Sequence, residues 1–121
     1  MIRRFITVFL TLTVGLASYS MPSYAKSPTT IKFSSGEYCG SYTGNIKQGK
    51  VFRLWLLDEQ DFVIENTGNG LIKVDYVKGP GGLLQGRRTH NYQSYYVNRS
   101  GQHDILIYGN SDISSVDFCA Y

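Results

Sequence analysis

The chain has 121 residues, of which 42% are hydrophobic, 14% aromatic and 17% charged, so it is long enough to bury one core and too apolar to be disordered. The same composition excludes a collagen and a coiled coil. Thirteen glycines, ten tyrosines and six phenylalanines favour short strands and tight turns over helices. We therefore expect a single all-β domain.

The first 25 residues have the three parts of an export signal. Arg3 and Arg4 form a positive start, residues 6–17 form an apolar run, and Ala25 ends a small-x-Ala cleavage sequence. The apolar run is about 12 residues long, whereas a membrane-spanning helix needs roughly 20. We predict a bacterial signal peptide over residues 1–25, a mature domain over residues 26–121 and a location in the periplasm. Secretion and an uncleaved membrane anchor are the alternatives.

Removal of this signal peptide lowers the net charge of the protein. The whole chain carries 12 Lys and Arg against 9 Asp and Glu, and Arg3 and Arg4 leave with the signal peptide. The longest basic run that remains is the pair Arg87 and Arg88. Because a phosphate backbone requires a larger basic patch, we expect no nucleic acid partner. After cleavage we expect no membrane partner either.

The two cysteines lie near opposite ends of the predicted mature domain, at Cys39 and Cys119. An export signal directs the chain to an oxidising compartment, where such a pair forms a disulfide. We predict the bond between Cys39 and Cys119, which would stabilise the fold by about 4 kcal/mol because it closes a long loop. The first and last strands must then lie side by side.

Alternating apolar residues, separated by turn residues, predict about eight short strands. The predicted strands cover residues 30–35, 38–46, two segments within 50–67 that flank a turn at 58–61, then 71–77, 95–97, 102–108 and 113–120. The turn residues at 66–70 and 98–101 predict hairpins. Residues 85–91 are polar and predict a loop of functional length. The pattern is typical of an antiparallel β-sandwich, or a small barrel, stapled by one disulfide.

The residue types that catalysis and metal binding require are scarce. His90 and His103 are the two histidines, and both cysteines are expected to be oxidised, so we predict neither a metal site nor a cofactor. The sequence has no Gly-x-Ser-x-Gly nucleophile elbow. Sequence spacing leaves open a pair of carboxylates for glycoside hydrolysis, because it cannot show their separation. We expect a protein that is not an enzyme.

Exposed aromatic side chains offer a different kind of site. Tyr92, Tyr95 and Tyr96, with Trp55, would make a stacking surface for sugars if they shared one face. The alternative is that most of them pack in the core, with Tyr92 the most exposed. The first arrangement would indicate a carbohydrate or cell-wall binding module.

Several short segments resemble a family of exported bacterial proteins. The segments are residues 42–46, 52–68 and 76–81, followed by 96–107 with a Ser-Gly turn before an alternating strand. In this order they resemble the pre-peptidase C-terminal domain, and most of all the periplasmic inhibitors of g-type lysozyme. The resemblance implies a β-sandwich that inserts surface loops into the substrate cleft of a lysozyme.

The resemblance also assigns contact residues. Ser100 and Gly101 occupy the positions of the Ser-Gly motif, and the resemblance implies that this motif contacts lysozyme. A hydroxyl on a tight turn can hydrogen-bond a catalytic carboxylate, and glycine lets the backbone approach closely. We place Arg99, His103 and Tyr92 beside them as further partner-binding residues. Family members tend to carry tyrosine near the position of His103, and its place in an alternating strand also fits the core.

Three functions follow from the sequence. The favoured one is an exported inhibitor of a peptidoglycan-cleaving muramidase, either a host lysozyme or a lysozyme-like toxin of a competitor bacterium. The second is the carbohydrate or cell-wall binding module, and the third is an exported structural or adhesin-like domain.

Overall fold

The computed structural model describes residues 27–89 and 91–121. The predicted signal peptide and His90 therefore lie outside the described residues. The described part of the chain forms ten strands, which are arranged in two five-stranded sheets. Within these two ranges there is no helix that is long and apolar enough to cross a membrane.

Both sheets are antiparallel apart from the contact between the first and third strands, which is parallel. The first sheet has the order β1-β3-β9-β5-β6, with β1 at Thr29–Thr30, β3 at Lys50–Leu56, β9 at Gly101–Gly109, β5 at Ile72–Gly79 and β6 at Gly82–Leu83. The second sheet has the order β2-β10-β4-β8-β7, with β2 at Cys39–Gly44, β10 at Ser114–Ala120, β4 at Asp61–Asn66, β8 at Tyr92–Tyr96 and β7 at Gly86–Arg88. The predicted all-β sandwich is confirmed.

The core lies between the two sheets and is built from every second residue of their strands. Phe52 of the first sheet packs against Phe118 of the second, with ring centroids 5.0 Å apart. Both side chains are fully buried, and so is Phe62 on β4. Because strand side chains alternate between faces, a shift of one residue would turn this set outward. Burial of the alternate residues therefore fixes the register of the central strands.

The connections between strands correct the predicted hairpins. Strands β4 and β5 belong to different sheets, and the same is true of β3 and β4 and of β8 and β9. The turns at residues 66–70 and 98–101 therefore carry the chain from one sheet to the other. Among the described strands, those that pair with their neighbour in sequence are β5 with β6 and β7 with β8. The prediction of hairpins at the two turns was wrong.

The structure has ten strands where about eight were predicted, and several predicted segments differ from it. The strand predicted over residues 95–97 is β8 at Tyr92–Tyr96, and β6 was not predicted. The first predicted strand, residues 30–35, is reduced to Thr29–Thr30, because the chain then leaves the edge of β3. The predicted loop over residues 85–91 contains the short strand β7, which pairs with β8 at the edge of the second sheet. A polar sequence can form an edge strand because its side chains face solvent on both sides.

The predicted disulfide joins Cys39 of β2 to Cys119 of β10. The two residues lie directly opposite each other in the antiparallel ladder, and their Cα atoms are 4.0 Å apart. The bond is confirmed. The last strand lies between β2 and β4, so the prediction that it lies beside the first strand was wrong, since β1 belongs to the other sheet.

Candidate functional site

Three turns meet at one end of the sandwich, which we call the turn end. They are residues 57–60 between β3 and β4, residues 80–81 between β5 and β6, and residues 97–100 between β8 and β9. The Glu59 N–H donates a hydrogen bond to the Val97 carbonyl at 2.8 Å. The Val97 N–H in turn donates to the Gln60 carbonyl at 2.9 Å. These two backbone bonds fix the first turn against the third.

Ser100 is the exposed residue that links the same two turns through a side chain. Its Oγ accepts a hydrogen bond from the Asp58 N–H at 2.8 Å. A hydroxyl can accept and donate at the same time, so this bond leaves the hydroxyl hydrogen free to donate. Among the described residues, the Ser100 side chain therefore takes part in this one hydrogen bond as the acceptor.

Gly101 is buried beneath Ser100 and has a backbone conformation that favours glycine, with φ at +147°. A Cβ atom at this position would lie 2.5 Å from Cγ of Pro80 in the neighbouring turn. Glycine is therefore needed for the shape and the packing of the turn. Because glycine has no side chain, Pro80 can pack against this position. The sequence did not reveal this contact.

His103 lies on β9 below the turn and is fully buried. Its Nδ1 is 2.9 Å from the Gly101 carbonyl oxygen, and because that oxygen can only accept, Nδ1 is the donor. The ring packs against Gly79, where any Cβ atom would overlap the imidazole. His103 therefore supports the Gly101 backbone from inside the sandwich, and its side chain does not reach the surface.

The two remaining predicted contact residues lie in different places. Arg99 is exposed in the same turn as Ser100. Tyr92 begins β8, and the last residue of that strand, Tyr96, pairs with Asp61 at the turn end. Four residues of extended strand span about 13 Å, so Tyr92 lies toward the opposite end of the sandwich. The structure thus brings Arg99, Ser100 and Gly101 together and leaves Tyr92 apart.

The aromatic side chains do not form a common sugar-stacking surface. Tyr95 is 5% exposed and donates its hydroxyl hydrogen to Gln93. Burial raises the pKa of the Tyr95 hydroxyl. Tyr92 and Tyr96 are exposed on the second sheet, whereas Trp55 is exposed on the first. The hypothesis that Tyr92, Tyr95 and Tyr96 share one exposed face, with or without Trp55, was wrong.

Sequence reasoning also missed the acidic character of the turn end. Asp58, Glu59 and Asp61 are all exposed and lie on or directly after the turn whose backbone binds Ser100. From the sequence we placed these residues in a turn and weighed Glu59 only as one carboxylate of a glycosidase pair. The acidic residues are visible in the sequence as a run. Their position beside Ser100 could not be predicted, because it depends on how the chain crosses between the two sheets.

An ion pair lies on the outer face of the first sheet. Arg53 on β3 donates from Nε and Nη2 to the two carboxylate oxygens of Asp104 on β9, at 2.7 and 2.9 Å. These hydrogen bonds hold the pKa of Asp104 below its ordinary value. Among the described residues, no group of three His, Cys, Asp or Glu side chains is arranged to hold a metal ion.

Comparisons with known proteins address the fold. No protein-family model and no curated protein sequence matches the chain. The structure of PliG from Aeromonas hydrophila, a periplasmic inhibitor of g-type lysozyme, is similar with a TM-score of 0.61 and 14% identity, over 78% of this chain and 96% of that one. PliG from Salmonella Typhimurium, also an inhibitor of g-type lysozyme, has a TM-score of 0.58 and 13% identity, over 79% and 99%.

A third solved structure, the pre-peptidase C-terminal domain of a collagenase from Bacillus anthracis, has a TM-score of 0.55 and 9% identity, over 85% of this chain and 100% of that one. The resemblance predicted from the sequence is confirmed. At these identities the likeness shows the fold, and the first two neighbours are inhibitors, not enzymes.

Proposed function

We propose that the protein is an exported inhibitor of a peptidoglycan-cleaving muramidase and that it binds the enzyme through the turn end. The observation that carries the proposal is Ser100, which is exposed on a turn fixed by backbone bonds and keeps a hydrogen to donate. The shared fold with two inhibitors of g-type lysozyme supports the same function.

The chemistry of the target explains why a serine suits this position. Lysozyme-type glycoside hydrolysis relies on carboxyl groups in a cleft. The Ser100 hydroxyl would donate to such a carboxyl group, and Arg99 in the same turn would pair with a carboxylate nearby. Because the turns are fixed before binding, little conformational entropy is lost on association. A narrow turn of this kind would block the cleft without being a substrate.

Charge around the turn end fits a basic partner. Asp58, Glu59 and Asp61 place three carboxylates near the proposed contact, against the single guanidinium of Arg99 in the adjoining turn. Lysozymes are commonly basic, so this arrangement would favour encounter and orientation more than final affinity. The net charge of the mature domain alone did not indicate this local excess of negative charge.

The proposed location is the periplasm. The predicted signal peptide would direct export, and both inhibitor structures are of periplasmic proteins. There the protein would meet a muramidase that reaches the cell wall from outside, whether a host lysozyme or a competitor's toxin. A separate sugar-binding module that uses Tyr92, Tyr95 and Tyr96 lacks support, because Tyr95 is in the core.

Substitution of Ser100 tests the proposal. Ser100→Asp should weaken inhibition of the target muramidase at least tenfold, since it sets a carboxylate against the catalytic carboxyl groups. A carboxylate can still accept the Asp58 N–H, and because the added charge is exposed, its repulsion with Asp58 and Glu59 should lower the thermal midpoint only slightly. Asn69→Asp adds the same charge at an exposed position on the opposite end and is the matched control. Equal inhibition constants for the two variants would remove Ser100 from the interface.

A further inference from the structure

A groove of about 450 Å³ opens where the N-terminal segment leaves the edge of the first sheet. Strand β1 pairs with β3 only at Phe52 and Arg53. Ile31 is then buried, and residues 31–33 approach Gly40 of β2 in the other sheet. The segment thereby closes the side of the sandwich and leaves β3 uncovered beyond Arg53.

The uncovered edge presents backbone hydrogen-bonding groups to the groove. The Ile31 N–H donates to the Arg53 carbonyl at 2.9 Å, so the peptide groups of Arg53 face β1. Peptide groups two residues further along a strand face the same side, which directs the Trp55 N–H and carbonyl into the groove. On this side the ladder with β1 ends at Arg53, and no described residue outside the strands forms a backbone hydrogen bond with Trp55. A ligand in the groove can therefore bond to both.

An exposed aromatic ring lies beside these groups. Trp55 is the one tryptophan of the chain, and it is 65% exposed. Its indole face is electron-rich and suits the C–H face of a pyranose ring. Thr30 and Gln102 add a hydroxyl and an amide to the groove lining. The volume falls within the range of small-ligand sites.

The groove also carries positive charge. Its charged side chains are Lys32 and Arg53, and Arg53 uses Nε and Nη2 to bind Asp104. Lys32 is exposed and forms no ion pair within the described residues. One positive charge is therefore uncompensated, which favours a ligand that carries a carboxylate over a neutral one.

We propose that this groove binds a carboxylate-bearing glycan, with one pyranose ring stacked on Trp55 and the carboxylate beside Lys32. Muramic acid residues whose lactyl carboxylate is not joined to a stem peptide have this chemistry and occur in bacterial cell walls. The site is distinct from Ser100 and does not depend on inhibition of a muramidase. Occupancy would hold the protein on wall glycan that lacks stem peptides.

The single tryptophan makes the test direct. The fluorescence of the purified exported protein should change in a saturable way on titration with a soluble muramic-acid-containing oligosaccharide whose lactyl carboxylates are free. A neutral N-acetylglucosamine oligomer of equal length should bind at least fivefold more weakly, and Lys32→Gln should abolish that difference. By calorimetry, Trp55→Ala should weaken binding at least tenfold. Tyr96→Ala, which removes an exposed aromatic ring from the other sheet, should leave the affinity unchanged.

Other results would overturn the proposal. No saturable fluorescence change with either saccharide would exclude a glycan site, and equal affinity for both would exclude the role of the carboxylate. If Trp55→Ala weakened muramidase inhibition while no saccharide bound, Trp55 would belong to a protein interface. Binding of an extended peptide in place of the saccharides would show that the open edge of β3 accepts a strand. Ser100→Asp should bind the glycan normally, which separates this test from that of the inhibitor function.

Discussion

At the scale of single residues, Gly101 is where two constraints coincide. Its φ of +147° is strained for other residues, and a Cβ atom would contact Pro80 at 2.5 Å. We predict that Gly101→Ala lowers the free energy of unfolding by about 2 kcal/mol, from backbone strain and overpacking together. Urea unfolding measures this loss.

Two further variants separate the two causes. Gly82 has a φ of +101° and open space where a Cβ atom would lie. Gly82→Ala should therefore lower the free energy of unfolding through backbone strain alone. Pro80→Ala removes the atom that a Cβ on Gly101 would meet, and in the Gly101→Ala background it should recover part of the loss. Equal losses for Gly101→Ala and Gly82→Ala would contradict a role for the Pro80 contact.

Patterns in the sequence predicted whether a residue is buried, but they did not predict which residues it contacts. The alternation around His103 indicated a core position, and the residue is buried. The pattern could not show that its ring would bond to Gly101 and pack on Gly79, because these contacts depend on the pairing of β9 with β5. Pro80 was read only as part of a turn for the same reason.

At the scale of strands, the ion pair across β3 and β9 makes stability depend on pH. The hydrogen bonds from Arg53 lower the pKa of Asp104 in the folded chain, whereas in the unfolded chain it titrates near pH 3.9. A group whose pKa falls on folding stabilises the fold above its unfolded pKa and loses that contribution as the pH drops below it. The pair should therefore stabilise the sheet at neutral pH and cease to do so in acid.

The variant Asp104→Asn tests this dependence. It should be less stable than the unaltered protein at pH 7, and the difference in unfolding free energy should shrink as the pH falls from about 4 toward 2. Asp112 is a useful comparison because its pKa is also lowered, by a hydrogen bond from Lys47, yet its side chain is 87% exposed. Asp112→Asn should change stability less than Asp104→Asn. A constant difference between Asp104→Asn and the unaltered protein across this pH range would contradict the account.

The strands were largely predictable, but their partners were not. Period-two alternation placed β3, β4, β5 and β9 close to their observed positions because each buries one face. The turns at residues 66–70 and 98–101 have residues that also suit hairpins, so local sequence could not distinguish a hairpin from a crossover between sheets. Short edge strands such as β7 have no buried face in the sequence pattern and were missed.

At the scale of the whole molecule, the disulfide ties the second strand to the last. Cys39 and Cys119 are separated by 80 positions, and a loop of that length corresponds to about 4.5 kcal/mol in the chain-entropy account. Reduction, or the double variant Cys39→Ala with Cys119→Ala, should lower the thermal midpoint by roughly 15 °C or more. Scanning calorimetry of the oxidised and reduced protein checks this. Equal midpoints would show that the ladder between β2 and β10 needs no covalent tie.

The function of the whole molecule is decided by a muramidase panel. Purified, oxidised protein is mixed with c-, i- and g-type lysozymes and a lysozyme-like toxin on labelled peptidoglycan, with reduced protein as the comparison. The account predicts that one class of muramidase is inhibited close to equimolar protein and that Ser100→Asp loses this inhibition while Asn69→Asp keeps it. Full activity of every muramidase in the presence of excess folded protein would contradict the claim that the turn end is an inhibitor surface.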